Sequence, residues 1–111
     1  MVNQGDIIRL NFNPQTGNEQ SGRRPALVIS NASFTKITRK AAMVCPITRT
    51  NKKMPFHIEL DERTQTVGVI LCDQAKIIDI QAREYEFIER APEDITLTAI
   101  DMINGFIEVE N

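Results

Sequence analysis

Short apolar runs separated by turn-forming residues fill the first ninety positions, and the period changes to a helical one only once, near the end. Ile8, Leu10 and Phe12 alternate with Arg9 and Asn11, the period-two signature of a half-buried strand. The composition of Asn13 to Asn18 marks a loop. Pro25 to Ser30 reads as a second strand, with its proline at the start, where a missing N–H is tolerated. Asn31 to Arg39 has no clear period and leaves room for a short helical turn. Met43 to Thr48 is a third strand, in which Pro46 marks a bulge or an edge position. Phe56, Ile58 and Leu60 alternate with His57 and Glu59 to give a fourth. Val67 to Cys72 is apolar on both faces, as expected at the centre of a sheet or in a subunit contact. Ala75 to Ile80 and Arg83 to Ile88 complete the set. Pro92, Glu93 and Asp94 then open a helix, with proline at its first position and acids at the positive end of its dipole. Ile95, Ala99, Met102, Ile103 and Phe106 give that helix one apolar face, and Gly105 weakens its last turn. The pattern predicts one domain over residues 1–111, mainly β: a small, strongly bent antiparallel sheet or barrel with a C-terminal α-helix packed on it.

No apolar run approaches the roughly 18 residues of a membrane span. Asp6 and Arg9 interrupt the early apolar stretch, unlike a secretory signal. Cys45 and Cys72 lie in apolar strands without metal-type spacing, which points to buried reduced thiols and a cytoplasmic protein. The net charge of −2 argues against nucleic acid until its distribution is considered. Up to His57 there are nine basic and two acidic residues; from Ile58 onward there are four basic and thirteen acidic. Between Glu19 and Glu59 no acid occurs at all. This asymmetry predicts a positive surface for a polyanion, unless folding mixes the two halves.

Adjacent Arg23 and Arg24 before Pro25 are hard to place in a core. On a strand they point to opposite faces, and without further information a surface ion pair with Glu19 would account for one of them. Five blocks in order change that reading: Gly5-Asp6-Ile7, Phe12-Asn13-Pro14, the run Glu19-Gln20-Ser21-Gly22-Arg23-Arg24-Pro25, Pro46-Ile47-Thr48 and Asp73-Gln74. Together they resemble the signature of the MazF/PemK toxins over nearly the whole chain. The resemblance implies an SH3-like barrel with a C-terminal helix, a homodimer, and cleavage of single-stranded RNA without metal or other cofactor. It also implies a cognate antitoxin whose extended acidic tail covers the RNA site.

Metal-free RNA cleavage activates a ribose 2′-hydroxyl against the neighbouring phosphate. It needs a base, an acid for the leaving oxygen, and positive charge at the phosphoryl oxygens. Resemblance places Arg24 in the last role, which the planar guanidinium fork suits, and gives Thr48 a donating hydroxyl. Glu19 is the favoured base. Plasmid-borne relatives carry a histidine where Asn18 stands and an arginine where Leu71 stands, and this chain has neither. Asp73 is therefore as much a structural candidate as a functional one. His57, the lone histidine, alternates with Phe56 and Ile58 and is expected to face solvent or a groove, as a surface residue rather than a catalytic one. Base selection falls to loop residues Asn13, Gln15, Asn18, Thr50 and Asn51, with Gln20, Arg23, Arg49, Lys52, Asp73 and Gln74 completing the expected RNA-binding set. No metal site is expected. Two rivals remain: a non-catalytic barrel of the same class that binds RNA or a protein such as DNA gyrase, and a purely structural small barrel.

Overall fold

The structure, a computed structural model, describes residues 1–13 and 22–110. Its strands are β1 (Asp6–Asn11), β2 (Arg23–Val28), β3 (Ala41–Thr48), β4 (His57–Glu59), β5 (Val69–Leu71), β6 (Lys76–Asp79) and β7 (Glu86–Arg90). Two helices, α1 (Ala32–Thr38) and α2 (Glu93–Phe106), and a 3-10 turn at Cys72–Gln74 complete the set. Neighbours run β4-β5-β3-β2-β1-β7, with β6 also on β3, and every pairing is antiparallel. Among the described residues β4 and β7 do not pair, so the sheet is not closed. The barrel expectation holds only roughly; the β class and the C-terminal helix hold in full.

Alternation explains why the strands read as apolar on both sides. Ile8, Leu10, Ala26, Val28, Ala42, Val44 and Ile78 fill one core cluster together with Val2, Phe12 and Ile80. Ile7, Leu27, Cys45, Ile47 and Ile70 turn the other way and meet Ile95 and Ala99 of α2. Each fully buried side chain of this size contributes about 1.5–3 kcal/mol, so both faces of the central strands stabilise the fold. Cys45 and Cys72 are free and buried, and hydrogen bonding to Cys72 followed by burial pushes the Cys45 thiol far above its ordinary range.

Local chemistry sets several boundaries. The Asn31 side chain accepts the Phe34 N–H and starts α1, a two-turn helix in the segment without a clear period. Pro92 caps α2 rather than opening it, and its carbonyl accepts from Ile95 and Thr96. Gly5, at φ +93, leads into β1, and buried Asp6 meets Arg90 of β7 at 3.1 Å. The Gly5-Asp6-Ile7 block therefore serves to join β1 to β7. Val67 is 63% exposed, and the strand anticipated from Val67 to Cys72 shrinks to Val69–Leu71, central between β4 and β3. Pro46 is likewise central, at the point where one edge of β3 passes from β6 to β5.

Candidate active site

β2 and β3 bring together two residues that are far apart in sequence. Their register pairs Ala26 with Pro46 and Val28 with Val44, and carried two residues further it sets Arg24 opposite Thr48. Side chains two apart share a face, so Arg24 and Thr48 stand on the side of Ala26 and Val44. Both line a cleft of about 940 Å³. Thr48 is nearly buried, and its Oγ1 accepts the Thr50 N–H at 3.3 Å. With that lone pair occupied, the hydroxyl keeps its proton for an acceptor in the cleft. Arg24 is half-buried and Arg23 exposed, as alternation requires, and both border the cleft.

The segment after β3 adds Arg49, Thr50 and Lys52 to the lining, and the 3-10 turn adds Asp73 and Gln74. Among the described residues four cations thus face one carboxylate, all four from the acid-poor half of the chain. Elsewhere the halves mix: Arg9 meets Glu86, Lys40 meets Asp79 and Lys53 meets Glu59. Part of the predicted positive charge is thus offset by these pairs, and four of its cations gather at the cleft.

The remaining wall comes from residues whose sequence carried no functional signal. Gln65, Thr66 and Val67 line the cleft. Glu89 of β7 accepts from Gln65 N–H (3.0 Å), Thr66 N–H (2.8 Å) and Thr66 Oγ1 (2.7 Å). Burial opposes ionisation of Glu89, but these three hydrogen bonds outweigh it and hold the carboxyl below its usual range. Arg63, paired with Asp61 and Asp94 at 2.8 Å each, ties the same loop to α2. Gly68 ends the loop at φ +140, where an added Cβ would lie 2.3 Å from the Thr48 carbonyl oxygen. That glycine before an apolar strand was the one legible hint of close backbone approach.

His57 faces the cleft, the groove that its alternation allowed, rather than open solvent. Its side chain is only 9% exposed, lines the cleft, and places Nε2 3.3 Å from Asp73 Oδ1. Its burial comes from the cleft wall, which rises over β4 from the distant turn at Cys72–Gln74. Asn13 lies apart from the cleft: its Oδ1 accepts the Gly22 N–H at 2.9 Å, and its carbonyl accepts from Arg83. Asn51 turns to Glu59 (2.5 Å) and does not line the cleft. Gln15, Asn18, Glu19 and Gln20 lie outside the described residues. Among the described residues no three of His, Cys, Asp or Glu form a group able to hold a metal ion.

A bent antiparallel sheet with a cation-lined cleft holding an arginine-threonine pair defines a small protein suited to a phosphodiester backbone. The chain matches the family model described as PemK-like, MazF-like toxin of type II toxin-antitoxin system over residues 3–103, and it belongs to that family. It is 36% identical over 98 residues to the endoribonuclease PemK of Escherichia coli, covering 85% of this chain and 73% of the relative. The crystal structure of MazF from Deinococcus radiodurans superposes with a TM-score of 0.89 at 34% identity, covering 96% of each chain. A MazE-MazF crystal structure from the same organism gives 0.85 at 31% identity, covering 98% of each. The family is one of endoribonuclease toxins.

Proposed function

We propose that this chain cleaves single-stranded messenger RNA at selected sequences, without a metal or other cofactor, as the toxin of a toxin-antitoxin pair. The observation that carries the mechanism is the placement of Arg24 opposite Thr48 in a cleft with four cations. The ribose 2′-oxygen attacks phosphorus, the bond to the 5′-oxygen breaks, and a cyclic phosphate and a 5′-hydroxyl result. Arg24 supports the charge gathering on the phosphoryl oxygens, and Thr48 donates its hydroxyl to one of them. Glu19 takes the 2′-proton, and the leaving 5′-oxygen is protonated from Arg24 or from solvent. Arg23, Arg49 and Lys52 hold neighbouring phosphates, while Thr50, Asp73 and Gln74 meet bases and sugars.

The protein works in the cytoplasm as a homodimer, and a cognate antitoxin closes the cleft with an extended acidic tail. The cleft's cations suit such a tail for the same reason that they suit RNA. A gyrase-directed toxin of the same fold would have no use for the Arg24-Thr48 arrangement. The test is incubation of pure protein with a defined single-stranded RNA pool in EDTA, followed by sequencing of the ends. Cyclic phosphate and 5′-hydroxyl ends at a recurring motif are expected, abolished by Arg24→Ala in a folded protein. Intact RNA at high enzyme, with growth arrest accompanied by chromosome damage instead, would overturn the reading.

A further inference from the structure

His57 pairs with Leu71 across β4 and β5, which sets its ring beside the turn that begins at Cys72. Nε2 approaches Asp73 Oδ1 at 3.3 Å, and Nδ1 is buried with no hydrogen-bond partner among the described residues. A buried, unsatisfied nitrogen costs about 1–3 kcal/mol, which an apolar side chain in the same space would avoid. Packing alone therefore does not explain an imidazole here, and among the described residues the polar contact recorded for it is the carboxylate.

Asp73 needs such a contact. Among the described residues it is the one acid lining the cleft, its side chain is 40% exposed, and it sits on a single 3-10 turn closed by a long Ala75-to-Cys72 hydrogen bond of 3.4 Å. Arg23, Arg24, Arg49 and Lys52 line the same cleft and would draw an unrestrained carboxylate toward themselves, where it would compete with phosphate. A carboxylate repels a phosphodiester. In an RNA site its partner must be an N–H or O–H donor, on a base edge or the ribose.

Taking the cleft as the RNA-cleaving site proposed above, we infer that His57 is a positioning residue. It holds one oxygen of Asp73 against the β4 wall and leaves the other for a donor group of the RNA. His57 does not touch the substrate itself, because Nδ1 is buried and Nε2 faces Asp73. Its effect on cleavage passes through the carboxylate.

Single-turnover cleavage of a defined RNA, with thermal melting of each variant, tests this. His57→Ala should slow cleavage about ten- to a hundredfold, the scale of an ångström of misplacement. His57→Gln, whose amide keeps a donor near the Nε2 position, should recover most of the rate. Asp73→Ala should be slow, and adding His57→Ala to it should lower the melting temperature without slowing cleavage further. An equal rate loss from His57→Ala in both backgrounds would show a merely structural residue and overturn the inference. So would a folded His57→Gln as slow as the alanine variant. Should His57→Ala fail to fold, His57→Leu fills the space without a donor and takes its place in the cycle. A wild-type protein inert toward every RNA would overturn the nuclease reading itself, whereas an active wild type with additive variants overturns only the role of His57.

Discussion

Gly68→Ala joins stability and activity through a single contact. An alanine Cβ would lie 2.3 Å from the Thr48 carbonyl oxygen, 2.9 Å from its carbon and 3.3 Å from Ile47 Cγ2. Ordinary non-bonded contacts of this kind stand at about 3.5 Å, so the backbones must part by about 1 Å. Neither side yields readily. Thr48 pairs with Val69, and the Gly68 carbonyl accepts the Leu60 N–H at 2.9 Å. Overpacking costs about 1–3 kcal/mol, and a non-glycine residue at φ +140 adds about as much, giving about 2–6 kcal/mol together. Against a typical domain stability of about 5–15 kcal/mol that is a large loss. The displaced atoms belong to Thr48, so cleavage by the molecules that remain folded should also fall, by about tenfold or more. Urea denaturation gives the first quantity and single-turnover RNA cleavage the second. Gly22→Ala is the control: its φ of +77 carries the backbone strain, but its Cβ would meet none of the described residues within 4 Å. It should cost about 1 kcal/mol. A Gly68→Ala protein within about 0.5 kcal/mol of wild type and fully active would refute the reasoning, since that is the scatter of neutral surface changes.

Thr48→Val should cut the cleavage rate by about a hundredfold or more with little change in KM, because it removes a donor aimed at developing charge, whereas Thr48→Ser should retain most of the rate. Glu89 titrates below its usual range in the folded state, so its contribution to stability is complete above the ordinary glutamate value of about 4.3 and disappears as pH falls through the folded value. Urea midpoints measured from neutral to acid pH should therefore fall less steeply in Glu89→Gln than in wild type, and identical acid limbs would contradict the assignment. RNA affinity should weaken with salt, and Arg23→Ala should flatten the slope of log K against log salt by about 0.7, the value for one phosphate on a single strand. An unchanged slope would remove Arg23 from the phosphate contacts.

Much of the fold was legible because alternation is a local property. Ile8, Leu10 and Phe12, and equally Ala26 and Val28, each declare their face within three or four residues. Boundaries that depend on a capping atom or a neighbour were less so: Asn31 starts α1 in a segment with no period, and β7 begins at Glu86 rather than Arg83. Arg24 and Thr48 were singled out through motif resemblance, and the register places them together at the cleft. Asn13 and Asn51 have the polar character of a base-reading residue, but their amides bind Gly22 and Glu59. For His57 the groove was legible and the burial was not. Strand periodicity reports which face a residue occupies, but not that a turn sixteen residues later covers that face.

Pro46 shows how one residue can shape both the sheet and the cleft. Cys72 donates its N–H to Phe56 across the β4 edge. By alternation Leu71 then directs its polar backbone atoms toward β3, where the β3-β5 register carried one step further sets it opposite Pro46. Proline has no N–H to offer, and the ladder stops at Ile47 and Ile70. Released from pairing, the chain turns at once into the Cys72–Gln74 segment, which carries Asp73 and Gln74 into the cleft. Two residues beyond the same proline stands Thr48, facing Arg24. The Pro46-Ile47-Thr48 and Asp73-Gln74 blocks are thus two sides of one structural event, in which a missing hydrogen bond in the middle of a strand opens the sheet where the chemistry is placed.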